Sequence, residues 1–262
     1  MARQRRIVGV GVALGGFTLV ELLVVISIIS MMMSILLPSL SKAREAGRRV
    51  DCFSNMRQLM FAWNFYSMDN EDKVPSPSTF WNDSRVDHFW VADGPAWPSN
   101  DVGNTEQAVE DGVLWPYTEE TLGVYECGTD RSNFLRDYSI SGTINWSLDN
   151  IKSPSRRMVF VDASSCWKWI HSAYGPINCC PKPPVWYRWD DPHHCQQITA
   201  RHSGGCNMSF ADFHCEYFRW KDPRTVKFAN REISASEASD DNPDIQRLLE
   251  VLIGDAALKL FR

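Results

Sequence analysis

Gly16-Phe17-Thr18-Leu19-Val20-Glu21 opens an apolar run that continues to Leu37 and meets Pro38. Phe17 to Leu37 is about 21 residues, which as a helix rises roughly 31 Å and matches the hydrocarbon core of a bilayer. Its polar residues are Thr18, Glu21, Ser27, Ser30 and Ser34. The serines can bond back to helix carbonyls at little cost. Glu21 is different. An acidic residue at the bilayer centre costs about 3 kcal/mol, less near the interface, and marks function by default. It needs a partner. A cut after Gly16 would supply one, because Phe17 would gain a charged amine four residues from Glu21. In an assembly, the amine of one subunit could neutralise Glu21 of its neighbour. Together with the leader arginines Arg3, Arg5 and Arg6, these features point to a membrane-anchored subunit that is processed and then assembled through its anchor.

Gly-Phe-Thr-Leu-Val-Glu-Leu-Leu-Val-Val-Ile, residues 16–26, resembles the class III signal of type IV pilins and type II secretion pseudopilins. The resemblance implies that a prepilin peptidase cuts between Gly16 and Phe17 and methylates the new N-terminus. It implies that Glu21 aids filament assembly, with other pilin-like subunits and the inner membrane as partners. Pro38 falls where many pilins carry a helix-loosening proline. Two other readings of the run are an ordinary secretory signal and an uncleaved anchor. The first should show a small-x-small cleavage site after a shorter apolar core, and none is convincing before Lys42. Charge alone leaves orientation open, because Lys42, Arg44, Arg48 and Arg49 compete with the leader arginines. The resemblance implies a cytoplasmic leader and a single-pass anchor in a bacterial inner membrane, with the C-terminal domain periplasmic or otherwise extracytoplasmic.

Beyond Pro38 the apolar residues keep a helical beat through Leu40, Ala43, Ala46, Val50, Phe53, Met56, Leu59, Trp63 and Tyr66. Steps of three and four predict one buried face. The helix should end near Asn70, before Pro75. Counted from Phe17 it would be roughly 80 Å long. From Lys73 to Thr225 the texture turns to Pro, Gly, Asn, Asp and Trp. Short strands are predicted over Arg136–Ile144, Arg157–Val161, Cys206–Ala211 and His214–Trp220. A two-residue turn at Asp212-Phe213 would set Phe210 opposite Cys215 and Cys206 opposite Arg219, making Cys206 and Cys215 poor partners for each other. An acidic linker, Glu232–Asp241, precedes a helix from Pro243. Ile245, Leu248, Leu249, Leu252, Ala256 and Leu260 line one face of it, and docking on the domain is favoured over a surface for a partner.

The expected fold class is therefore α+β. A long pilin-like N-terminal helix, half membrane and half soluble, packs on a small antiparallel sheet with long loops. The expected divisions are leader 1–16, membrane half 17–37, soluble half 38–70, domain 71–231 with a Cys/Trp-rich insert at 163–200, and linker plus helix 232–262.

A second resemblance lies near the C-terminus. Arg201-His202-Ser-Gly-Gly and Asn207-Met-Ser-Phe-Ala-Asp212 look like the signature of a bacterial pseudopilin-like family: a histidine, nine residues, then Asp-Gly. His202 and Asp212 keep that spacing, while Phe213 replaces the glycine that best tolerates positive φ. Cys127-Gly-Thr-Asp130, Arg136-Asp-Tyr-Ser, Ile151–Asp162, Trp220-Lys-Asp-Pro-Arg224 and Asn242-Pro-Asp-Ile-Gln246 also resemble this family. The likeness implies architecture more than mechanism.

Eight cysteines in an exported domain read first as disulfides. Cys52 and Cys127 are one plausible staple, and Cys166, Cys179, Cys180 and Cys195 are further candidates in the insert. Free thiols and a metal site stay open, since His171, His193, His194 and His202 share the region. Zinc usually shows short paired spacings such as Cys-x-x-Cys, which adjacent Cys179-Cys180 and scattered histidines do not provide. His202, Asp212 and His214 could converge at the hairpin turn, to hold a cation or merely to fasten the turn. No cofactor is required, although Asp69, Glu71 and Asp72, or Asp240 and Asp241, could hold calcium as some secretion pseudopilins do.

Eleven tryptophans raise an alternative, a membrane-tethered extracytoplasmic module whose Trp81, Trp90, Trp97, Trp115, Trp167, Trp169, Trp186 and Trp189 bind a glycan or an exported substrate. Filling of the core and loops is the commoner use of such side chains. A formal net charge of −5 gives no footprint for nucleic acid. There is no Gly-x-Ser-x-Gly, phosphate loop or His-Glu-x-x-His, so an enzyme is not expected.

Overall fold

The structure is a computed structural model that describes residues 17–76, 88–91, 106–128, 135–141, 144, 147–165, 173–174, 196–230, 232–233, 237 and 241–253. The fold is α+β. Its first element, α1, runs Leu19–Asp69 and contains Pro38, which withholds an N–H from the helix ladder. The expected end near Asn70 is met within a residue. The chain divides into two compact units, Met1–Arg44 and Glu45–Arg262. In the first, α1 displays its apolar side chains: Leu19 is 78% exposed and Met31 70%.

In the second unit α1 buries Cys52, Met56, Leu59, Met60, Ala62, Trp63, Tyr66 and Ser67. This corrects the predicted stripe. Leu40, Ala43, Ala46 and Val50 are exposed, so burial begins only at Cys52, while Met56, Leu59, Trp63 and Tyr66 of the predicted stripe are buried. The partner of this face is the sheet and the loops ahead of it.

Six strands follow among the described residues: β1 Tyr138–Ser141, β2 Met158–Ser165, β3 Ala173–Tyr174, β4 Gln196–Ile198, β5 Gly205–Phe210 and β6 Cys215–Arg219. The order is β3-β1-β2-β5-β6, with β4 also on β2. All pairs are antiparallel except β1 with β3. The four predicted strands correspond to β1, β2, β5 and β6. The two short ones fall in the insert, where no strand was expected.

An irregularity in β2 between Met158 and Phe160 breaks the alternation and sets two neighbours on one face. Val159 and Phe160 join the α1 side, with Trp90, Tyr125, Tyr138 and Ile140. Met158 and Val161 join the opposite side, with Met208, Phe210 and Phe218. That second core is closed by α3, Pro223–Ala229, and α4, Pro243–Ile253, which follow the short α2, Glu106–Glu110, in the chain. Ile245, Leu248, Leu249 and Leu252 are all buried there, so α4 docks on the domain; Ala256 and Leu260 lie outside the described residues. Asp244 at the start of α4 accepts the N–H groups of Lys221 and Asp222 at 2.8–3.0 Å. It thereby joins two of the segments that carried the second resemblance.

The β5–β6 hairpin departs from the predicted register by one residue. Cys206 faces Phe218 and Ser209 faces Cys215, because three residues, Ala211 to Phe213, make the turn. Phe210 N–H donates to the His214 carbonyl at 3.0 Å, and Phe213 N–H to the Phe210 carbonyl at 2.8 Å. Phe213 takes φ 72°, the left-handed conformation that glycine adopts most cheaply. Its ring stacks on Phe61 of α1, with centroids 5.8 Å apart, so packing compensates for an unfavourable backbone. Cys206 lies in the second core and Cys215 against the first, on opposite faces of the sheet.

Candidate functional site

Two places in the chain carry chemistry beyond packing. The first is the start of α1. Glu21 Oε2 accepts from Thr18 N–H at 2.8 Å and from Thr18 Oγ1 at 2.7 Å. Thr18 Oγ1 accepts Glu21 N–H at 3.2 Å. This is a reciprocal capping box. Its Thr-x-x-Glu spacing was legible in the sequence, yet only the need of Glu21 for a partner was read from it. Some of that need is met locally, by Thr18. Gly16 lies outside the described residues. Among the described residues, α1 is the one helix long and apolar enough to cross a membrane.

The second place is buried. Cys52 from α1, Cys127 from the loop after a 3₁₀ turn at Leu122–Tyr125, Asp162 from β2 and His202 from the turn before β5 bring one donor atom each within 4.8 Å of one another. Sequence reasoning named three of these residues but scattered them among different roles. The expected Cys52–Cys127 staple brings the right two residues together, but no disulfide joins them in the structure. His202 joins this cluster through Nε2, which lies 3.5 Å from Cys127 Sγ and 3.3 Å from Asp162 Oδ2. Its Nδ1 lies 3.0 Å from Glu45 Oε1. The Tyr217 hydroxyl donates to the His202 carbonyl, holding the turn in place.

Asp162 was missed, although an acid closing the apolar run Met158–Val161 was a signal. Its side chain is wholly buried. Oδ2 accepts the Asn207 N–H at 2.7 Å, while Oδ1 has no hydrogen-bond partner among the described residues. A buried, half-satisfied carboxylate is costly. The electrostatics show the strain of crowding these groups. Burial pushes the Asp162 carboxyl up, against the pull of His202. The hydrogen bond with Cys127, followed by burial, pushes the Cys52 thiol up. Burial works against charge on His202, but Asp162 and Cys127 outweigh it and raise the imidazole to about 10.

The remaining candidates sit elsewhere. Asp212 Oδ1 lies 2.5 Å from His214 Nδ1, and the His214 ring stacks on Phe210 at 4.3 Å. These two fasten the hairpin turn, while His202 is committed to the buried cluster. Asp69 accepts from the Tyr117 hydroxyl at 3.0 Å, and Glu71 pairs with Lys73 at 2.9 Å. Cys166, Cys179, Cys180, Cys195 and Asp240 lie outside the described residues, as do Trp81, Trp97, Trp167, Trp169, Trp186 and Trp189. Of the tryptophans that are described, Trp63, Trp90 and Trp220 are buried in the core.

Residues 15–37 match the prokaryotic N-terminal methylation motif. No curated protein and no solved structure matches the chain. The motif and the apolar helix it opens support a type IV pilin-like or pseudopilin subunit, single-pass in the inner membrane. They suggest a structural role more than a catalytic one.

Proposed function

We propose that this chain is a prepilin-type pseudopilin. A prepilin peptidase cleaves after Gly16 and methylates the amine of Phe17. The processed subunit assembles through α1 with other pilin-like subunits, in a type II secretion or type IV pilus-like system. Its C-terminal domain stands in the periplasm. The observation that carries this reading is the methylation motif at residues 15–37 leading straight into a helix whose apolar side chains are exposed among the described residues.

The role of Glu21 follows from its setting. Thr18 satisfies one of its oxygens, but two neutral donors do not cancel a charge in hydrocarbon. The amine exposed by cleavage would. A carboxylate so near the apolar end of the span favours assembly over isolation in lipid.

The test is the N-terminus of the protein extracted from its native membrane, read by mass spectrometry. N-methylated Phe17 is the expected result. An intact leader would leave a simple tether and remove the assembly account. The glycan-binding alternative gains no support from the described tryptophans, which fill the core.

A further inference from the structure

We propose that Cys52, Cys127, Asp162 and His202 form a structural zinc site that fastens the soluble half of α1 to the sheet. The geometry comes first. Zinc bonds sulfur at about 2.3 Å and imidazole or carboxylate at about 2.0–2.1 Å, in a tetrahedron. Those bond lengths imply edges of about 3.5 Å between sulfur and nitrogen and about 3.3 Å between nitrogen and oxygen. The observed separations are 3.5 Å for Cys127 Sγ to His202 Nε2 and 3.3 Å for His202 Nε2 to Asp162 Oδ2. Two of the six edges thus already match a zinc tetrahedron, and all four donors lie within 4.8 Å of one another.

The surroundings are those of a built site. A zinc-bound histidine characteristically gives its other ring N–H to a carboxylate, which fixes tautomer and orientation. Here Glu45 Oε1 lies 3.0 Å from Nδ1, and Nε2 faces the cluster, where loss of its proton would free a lone pair for a metal. Cys127 is held from behind, its N–H donating to Asp137 Oδ2 at 2.6 Å. Asp162 Oδ1 has no hydrogen-bond partner among the described residues, and a cation beside this carboxylate would offset the cost of burying it.

A disulfide between Cys52 and Cys127 would use two of the donors and do nothing for that oxygen. The donor set also selects the ion. Two thiolates with an imidazole suit zinc, whereas magnesium and calcium require oxygen ligands. Four protein ligands and full burial leave no open position, which marks a structural site. On binding, each thiol and the imidazolium would release a proton to solvent as the metal bonds form, so affinity falls in acid.

The location explains why a metal would be useful. The ligands come from four segments distant in sequence, so one ion closes several long loops at once. Glu45 and Cys52 both lie on α1, so the site pins the helix that carries the membrane segment.

The test uses the full chain, extracted in detergent and purified with reductant and without chelator, with zinc and sulfur content measured together. The parent should hold about one equivalent of zinc more than a Cys52→Ser, Cys127→Ser double variant. Cobalt loaded into the parent should show sulfur-to-cobalt charge transfer and tetrahedral ligand-field absorption, lost in that variant. Because the double variant could misfold, Glu45→Gln supplies the second measurement. It removes a half-exposed outer group, and zinc affinity should fall about 10–100-fold with the circular dichroism unchanged. Equal zinc in parent and double variant would overturn the proposal. So would a Cys52–Cys127 disulfide in alkylation-trapped protein from native membrane, or unaltered zinc affinity in Glu45→Gln.

Discussion

Glu45 and His202 are 157 residues apart in the chain, yet Glu45 Oε1 and His202 Nδ1 lie 3.0 Å from each other. The contact orients the imidazole so that its other nitrogen faces Asp162 at 3.3 Å. It links α1, the turn before β5 and the centre of β2 through one ring. Both His202 and Asp162 are buried, so the ring is the counterpart of a carboxylate that water cannot reach.

Removing that ring should be among the most damaging single changes in the domain. His202→Ala leaves Asp162 buried beside unsatisfied groups, and breaking a buried charged pair from one side costs about 3–5 kcal/mol. Chemical denaturation followed by tryptophan fluorescence should show the loss as a lower midpoint. A shift worth less than about 1 kcal/mol would mean that water or another side chain replaces the ring.

At the other end of the chain, Glu21→Ala should separate processing from assembly. The variant should still be cleaved after Gly16, because the glycine and the leader are intact. Crosslinking between subunits in the membrane should fall to background. Crosslinking at the parent level would show that the Glu21 charge is not what draws subunits together.

Phe213 sets two effects against each other. Its left-handed backbone costs about 1–2 kcal/mol in any residue but glycine, while its stacking on Phe61 returns about 0.5–1.5 kcal/mol. Phe213→Ala keeps the first and loses the second, so it should be destabilised. Phe213→Gly loses both and should be more stable than the alanine variant by about 1 kcal/mol. Equal midpoints for the two variants would mean that the turn relaxes out of the left-handed region.

Asp222 caps α3, accepting Arg224 N–H at 2.8 Å and pairing with its guanidinium at 2.7 Å. The hydrogen bond to the Arg224 side chain holds the carboxyl below the usual aspartate range, against a small opposing effect of burial. A folded-state value that is depressed means stability present above about pH 4, the unfolded value, and lost as pH falls through the folded one. Asp222→Ala should therefore cost about 1 kcal/mol at neutral pH. The gap between parent and variant should close in acid. A gap that stays constant down to about pH 2, below the range where aspartates titrate, would remove the charge from the explanation.

The sequence by itself determined the elements whose cause is local. The anchor was readable because a run of apolar side chains from Phe17 to Leu37 allows few other fates in water. The length of α1, the strands β1 and β2, the β5–β6 hairpin and the buried stripe of α4 followed from periodicity. The capping box of Thr18 and Glu21 was equally local.

Tertiary structure decided what depends on register and on distance along the chain. One extra residue in the hairpin turn moved every β5–β6 pair by one position. The irregularity at Val159 put the adjacent Val159 and Phe160 on the same face. Above all, Cys52, Cys127, Asp162 and His202 carry no short spacing that would mark them as a set. Each comes from a different segment, and only the packing of α1 against β2 and β5 brings their donor atoms together. A motif in sequence records neighbours along a helix or strand. It cannot record atoms that become neighbours only once the core has closed.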